Sequence, residues 1–383
     1  MTRIISISFG LMIATGIAFD KPAHLSAQQI EATRVLSFTH PELGSVEDVE
    51  VVGNLIHILD GIGLADFVFD FGGNLVETIG REGAGPGELR APDRLGWIDD
   101  TLWIRDVGNQ RFNLYDRDGV PIGTRMLYVR VPVPTRIVSR AGGEWILANE
   151  RVLARPEVPW PLIADGGADS TTLYFVEDTA IVGTFVRASI EGSIIGINEL
   201  GGEFMQRGGY LRPALLSAHD EVVVSPDGTL LAVVNLGTYT ISTFSPEGEQ
   251  LQQLRITHAR RRTSGALISA LADEILGGLS AGFRSRFPSE EALENIVRKA
   301  VGEPRTLPPV SRVVAGNGGV LWLRREHTAA DLVTWDRIDV TSGERESFEL
   351  PSTFVGMGGD PDRVWGVRLD EYDVPIVEVY AAR

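Results

Sequence analysis

The chain reads as an all-β protein: a six-bladed β-propeller of four-stranded blades, closed by an N-terminal strand, with a helical insertion between blades 4 and 5. Three observations predict this. A turn–strand unit recurs six times, its uninterrupted copies lie 46, 43 and 43 residues apart, and the last copy stops one strand short of a full blade. Four short strands in a period of about 43 residues match a propeller blade, whose repeats run to roughly 40–50 residues.

The repeated unit is a turn, a short apolar strand that often carries Trp, a polar hinge, a second strand, a Gly turn and a third strand. Its copies are Asn54-Leu-Ile-His-Ile-Leu-Asp60, Asp100-Thr-Leu-Trp-Ile-Arg-Asp106, Gly143-Glu-Trp-Ile-Leu-Ala-Asn149, Gly228-Thr-Leu-Leu-Ala-Val-Val234, Gly319-Val-Leu-Trp-Leu-Arg-Arg325 and Asp362-Arg-Val-Trp-Gly-Val-Arg368. Equivalent positions are Ile56, Leu102, Trp145, Leu230, Leu321 and Val364, and the two long gaps, of 85 and 91 residues, contain insertions. A second regularity supports the alignment. Asp60 and Asp70, Asp106 and Asp116, Asn235 and Ser245, Glu326 and Asp336, and Asp370 and Tyr380 each bracket a hinge and the strand after it, ten residues apart. Glycines in the following turns, such as Arg117-Asp-Gly119, supply positive φ without steric cost.

With strands named a to d outward, blade 1 is expected at Asp48–Val52, Leu55–Asp60, Asp66–Phe71 and Leu75–Ile79. The last copy ends at its third strand, Val377–Ala382, so Thr33–Thr39 is expected to supply the missing outer strand. Ring closure of this kind removes an exposed edge that would template aggregation.

Composition sets the outer bounds. The formal charge of −17, from 35 Lys+Arg against 52 Asp+Glu, opposes nucleic acid and anionic lipid, and the short cluster Arg260-Arg261-Arg262 does not reverse it. With no cysteine, disulfides, thiolate metal sites and cysteine nucleophiles are excluded. Arg3, an apolar run from Ile4 to Phe19 and the small-residue site Leu25-Ser26-Ala27 resemble a secretory leader, with Asp20 and Lys21 as a blemish. The apolar run is shorter than the roughly 20 residues of a membrane span. The expected organisation is a leader over 1–27 and one propeller over 28–383, periplasmic or secreted, with no integral membrane association once the leader is removed.

Blade 2 carries a further signature. Gly80-Arg-Glu-Gly-Ala-Gly-Pro-Gly-Glu-Leu-Arg-Ala-Pro92 is a Gly-rich loop ending in Pro before the inner strand, and Asp106-Val-Gly-Asn-Gln-Arg-Phe112 is an Asp-x-x-Asn-x-Arg-aromatic hinge. Together they resemble NHL-repeat six-bladed propellers of exported bacterial proteins. Other blades keep only the framework, as in Asp60-Gly-Ile-Gly63 and Asn235-Leu-Gly-Thr238. The resemblance implies architecture and no particular function, because propellers host unrelated activities.

Three departures from plain blades fall on one rim, where d–a and b–c connections lie. They are the Pro-rich b–c loop Arg151–Trp160, the segment Gly183–Leu211, and Thr257–Pro309. The last holds Ile268, Leu271, Ile275, Leu276 and Leu279 at helical spacing, then Ser289 as cap for a second pattern with Leu293, Ile296, Val297 and Ala300. Glu290 and Glu291 in its first turn suit the helix dipole. Function concentrates on loops held by rigid scaffolds, so this rim is the expected site.

The candidate chemistry is sparse. Asp60, Asp106, Asn149, Asn235, Glu326 and Asp370 end the b strands, and oxygen ligands of the set Asp60, Asp106, Asn149, Asn235 and Asp370 suit a divalent cation such as Ca²⁺. The plainer reading is hinge capping, since Asp and Asn bond nearby backbone N–H groups in turns. His219, Asp220, Glu326 and His327 form a second candidate cluster for a ligand or metal at the channel mouth. His57 occupies the slot of Trp103, Trp322 and Trp365, which marks it first as a packed core residue. No phosphate cradle, Gly-x-Ser-x-Gly elbow or His-Glu-x-x-His helix occurs, so no catalytic residue is assigned. Two function classes remain. One is a binding or scaffolding propeller for a protein, peptide or glycan; the other is a metal-dependent hydrolase or lyase of the six-bladed lactonase type at the channel mouth.

Overall fold

A computed structural model of the protein describes residues 28–98, 100–126, 230–244, 250–279, 287–302, 304–326 and 330–382, with residues 23–25, 216, 218, 220–225, 284 and 285. Between 126 and 216 it describes the backbone of the strands 136–139, 145–149, 152–154, 162–166, 170–177, 180–189, 194–196 and 211–213.

The structure is an all-β propeller. Strands Val46–Val52, Leu55–Asp60, Ala65–Asp70 and Leu75–Ile79 form an antiparallel sheet in chain order, and Pro92–Ile98, Thr101–Asp106, Arg111–Tyr115 and Pro121–Met126 form the next. The fourth blade is built on Asp220–Val224, Leu231–Asn235, Thr240–Phe244 and Gln250–Ile256, the fifth on Val310–Ala315, Val320–Arg325, Leu332–Asp339 and Arg345–Pro351. The sixth contains Val355–Gly359, Arg363–Leu369 and Pro375–Ala382, with Ala32–Phe38 as its outermost strand. Innermost strands neighbour one another around the ring: 46–52 lies between 92–98 and 355–359, and 310–315 between 220–224 and 355–359.

Closure is antiparallel, with Thr33 opposite Ala381 and Phe38 opposite Val377. The N-terminal segment reaches further than the last blade. Gln28–Gln29 pairs in parallel with Glu346–Ser347 on the outer edge of blade 5, and Ala23–Leu25 with Leu254–Ile256 on that of blade 4.

Blade 3 departs from the expectation. It is a six-stranded meander, Arg136–Ser139, Trp145–Asn149, Val152–Ala154, Leu162–Gly166, Ser170–Glu177 and Ala180–Ser189. The segment expected as the loop Arg151–Trp160 thus contributes a strand at Val152–Ala154, whose apolar and β-branched residues suit a pleated surface. The segment Gly183–Leu211 is likewise partly strand: the last strand runs on to Ser189, and Ile194–Gly196 pairs with Leu211–Pro213.

The core sits between blades rather than in the channel. Ile56, Ile58, Phe67 and Phe69 of blade 1 pack against Trp365, Val367, Val377 and Val379 of blade 6. Leu59, Val68 and Ile79 pack the other way, against Leu95, Leu102, Ile104 and Tyr115 of blade 2. Alternate residues of one strand therefore serve two interfaces, as the period of two in a pleated strand requires. Trp103, Trp322 and Trp365 are all buried. Glycine makes room for two of these indoles: Gly96 lies opposite Trp103 and Gly358 opposite Trp365 in the neighbouring strand, and a Cβ at either position would collide with the ring.

Two helices, Gly265–Gly278 and Glu290–Val301, occupy the connection between blades 4 and 5. Ser264 and Ser289 cap them, their side chains accepting from Leu267 N (3.2 Å) and Ala292 N (3.1 Å). Ile268, Ala272, Leu293, Val297 and Val301 bury against Leu216 and Leu307, with Leu271, Ile275, Leu276 and Leu279 at the margin. Among the described residues no helix is long and apolar enough to cross a membrane.

Candidate binding rim

The hinge carboxylates of blades 1 and 2 are fully buried and turned onto the backbone. Asp60 Oδ2 accepts from Gly44 N and Ser45 N, both at 2.8 Å, and Oδ1 accepts from Ile62 N (2.9 Å) and Gly63 N (2.6 Å). Asp106 Oδ1 accepts from Arg90 N (3.2 Å), Ala91 N (3.0 Å) and Asn109 N (3.3 Å), while Oδ2 accepts from Asn109 Nδ2 at 2.6 Å. Each carboxylate ties the segment entering strand a to the b–c hinge, satisfying donors that burial would otherwise leave unpaired.

The Gly-rich loop is gripped by the rest of the same motif. Arg111 Nη1 donates to Ala84 O (3.0 Å), and Nη2 to Gly85 O (2.5 Å) and Glu88 O (3.0 Å). Asn109 Nδ2 donates to Gly83 O at 2.9 Å, and the Tyr115 hydroxyl donates to Gly87 O at 3.1 Å. Gly87 holds φ +73°, a conformation open to glycine at no steric cost. Burial first, then the charges of Asp66 and Asp106, push the Tyr115 hydroxyl well above its ordinary pKa, so it stays a donor. The Asp-x-x-Asn-x-Arg pattern is thus a clasp for its own loop.

The other predicted residues are dispersed. Asn235 Oδ1 accepts from Thr238 N (2.7 Å) and Thr238 Oγ1 (2.8 Å) in a local turn. Asp370 makes an exposed turn of the kind seen at Asp70 and Asp116, accepting from Tyr372 N and Val374 N. Glu326 pairs with Arg261 at 3.0 Å and with Arg325 at 3.6 Å. Asn149 and Asp220 lie at a strand's end and start, with side chains outside the described residues, as are His219 and His327. Among the described residues no three His, Cys, Asp or Glu side chains are grouped to hold a metal ion.

Two buried polar groupings carry no local signature. In blade 1, His57 Nδ1 lies 2.7 Å from Asp66 Oδ2, with the His57 ring edge-on to Trp97 at 5.2 Å between centroids. Burial works against the charged imidazole, but the Asp66 carboxylate, with Glu50 and Glu77, outweighs it and raises the His57 pKa. Between blades 4 and 5, Asp336 accepts from the Tyr239 hydroxyl, Ser347 Oγ, Arg345 Nη2 (2.9 Å) and Arg325 Nη1 (3.3 Å). Both guanidinium groups lie over the Tyr239 ring, 5.4 and 5.6 Å from its centre. Burial foremost, then the Asp336 charge, drives the Tyr239 pKa well upward, so the phenol remains protonated.

The family model of a six-bladed beta-propeller matches residues 39–150, which include all of the first two sheets. Among solved structures, a Bacteroides fragilis protein assigned as exported is similar over 94% of this chain and 98% of its own, at 12% identity and a TM-score of 0.47. A member of the DUF4221 family from Bacteroides vulgatus is similar over 93% and 98%, at 8% identity and a TM-score of 0.43. The calcium-binding protein regucalcin from Agrobacterium tumefaciens is similar over 94% and 97%, at 12% identity and a TM-score of 0.38. No curated protein matches the chain.

Proposed function

We propose that the chain is an exported binding or scaffolding propeller. Its leader, residues 1–27, is removed, which takes the strand Ala23–Leu25 off the edge of blade 4, and residues 28–383 form one NHL-like unit in the periplasm or outside the cell. The rim of d–a and b–c connections, with its helical cap, takes a protein, peptide or glycan. The observation that carries this reading is the cap itself. A helical pair with its own buried cluster, Leu216, Ile268, Leu293, Val297 and Leu307, sits on the d–a connection between blades 4 and 5, the kind of connection that Asp60 and Asp106 lock to the b–c hinges of blades 1 and 2. A rigid scaffold presenting an elaborated loop face is the usual setting of a binding site.

The hinge oxygens favour binding over metal-dependent hydrolysis. Both oxygens of Asp60 already accept two N–H groups each, and a cation there would compete with those bonds. Replacing residues 264–302 by a short Gly-Ser linker tests the reading. Both proteins are screened against immobilised peptide and glycan libraries. The intact chain is expected to retain ligands that the capless variant loses while both unfold cooperatively; identical binding profiles would contradict the role given to the cap.

A further inference from the structure

The chain is acidic, yet its longest run of like charge is basic, Arg260-Arg261-Arg262. The structure places this run at the stem of the helical cap. Leu307 N donates to Arg261 O at 2.9 Å and Thr263 N to Arg305 O at 3.3 Å, with Arg262 bridged to Thr306. The two ends of the insertion are thus zipped together, and Arg305, on the segment opposite the run and on the stem face of Arg261, adds a fourth guanidinium group to the stem.

The charge balance around this stem is uneven. Glu326 is engaged by Arg261 and Arg325, and Asp336 by Arg325 and Arg345. Arg260, Arg262 and Arg305 are exposed, and among the described residues their side chains have no ion-pair or hydrogen-bond partner. The crowding is felt by His258, where burial first and then Arg325 and Arg260 hold the imidazole below its ordinary pKa. Three cations that no described carboxylate engages, on a chain of charge −17, need a reason beyond solubility.

We infer that the stem collar of Arg260, Arg262 and Arg305 is a docking site for an acidic peptide segment. This deepens the rim-binding reading and rests on it. Guanidinium forks match carboxylates in geometry, and the same cluster already uses that pairing internally at Arg261–Glu326. Screening confines the collar's attraction to about 8 Å at physiological salt, which suits a short segment bearing a few carboxylates. A long polyanion or an anionic membrane would also meet the acidic remainder of the surface and be repelled. A sugar ring would need an open flat face, whereas Tyr239, whose ring lies 6.2 Å from that of His258 just before the run, is fully buried beneath Arg325 and Arg345.

The test uses the purified chain and a fluorescein-labelled twelve-residue peptide of Glu, Gly and Ser with five glutamates, read by anisotropy at low and high salt. Saturable binding that weakens at least tenfold in Arg260→Glu/Arg262→Glu/Arg305→Glu, and with added salt, is expected. The Lys triple variant should keep part of the affinity, and the Gln version of the peptide should not bind. All three positions are exposed, so the variants should melt like the parent, and circular dichroism checks this. No binding at low salt, binding unchanged by charge reversal, or preferential binding of oligogalacturonate or anionic vesicles would overturn the assignment. The variant lacking 264–302 separates the two readings. Peptide binding that survives loss of the cap but not loss of the arginines sinks the cap's role and leaves the collar standing.

Discussion

At the scale of single residues, the most consequential departure from the repeat is His57. Three other blades place an indole in its slot, and two of those indoles donate to the next blade, Trp365 Nε1 to Val49 O at 3.0 Å and Trp322 Nε1 to Asp360 O at 3.1 Å. His57 instead bonds Asp66 within its own blade. Because the His57 pKa is raised in the folded state, its contribution is full below the unfolded value of about 6.5 and is lost as pH rises through the folded value. The melting temperature should therefore fall between mildly acidic and alkaline pH. His57→Gln should lose about 3 kcal/mol at pH 6, as expected on breaking a buried pair. It should also flatten that slope, measurable by calorimetry across the pH series. Gly96 is a second sensitive residue. Gly96→Val pushes a branched side chain into the Trp103 ring and should cost about 1–3 kcal/mol in urea unfolding.

At the scale of elements, the clasp of the Gly-rich loop and the helix caps make separable predictions. Arg111→Ala removes three bonds to loop carbonyls and should raise amide exchange across residues 81–91 while leaving the blade strands protected. Ser264→Ala and Ser289→Ala should each cost about 1 kcal/mol. Much of this level was legible in the chain. The recurring turn–strand–hinge unit placed Leu55–Asp60 and Leu75–Ile79 at their observed bounds, and Ser289 marked its helix because a cap and its first turn are local signals. Blade 3 was less legible, because a Pro-rich stretch suggests a loop where Val152–Ala154 is strand. In the sequence Asp336 shows only as a spacing partner of Glu326. Its ligands Tyr239, Arg325, Arg345 and Ser347 come from two blades, and no local pattern announces such a hub.

For the whole molecule, the central claim is a ring of radial sheets shut by the N-terminal strand. The closing strand was readable because the last repeat lacks a fourth strand, whereas the parallel pairing of Gln28–Gln29 and Ala23–Leu25 rests on a few backbone bonds and leaves no side-chain pattern. Opening the ring exposes the edge of Pro375–Ala382, so a chain starting after residue 38 should aggregate and melt markedly lower by light scattering and calorimetry. The direct measurement exploits the absence of native cysteine. Thr33 and Ala381 are register partners, and such pairs sit within the Cα separation of about 4.4–6.8 Å that a disulfide spans. In Thr33→Cys/Ala381→Cys the account predicts a near-complete intramolecular disulfide on non-reducing gels and a higher melting temperature than in the reduced protein. Free thiols under oxidising conditions, or cross-links only between molecules, would contradict it.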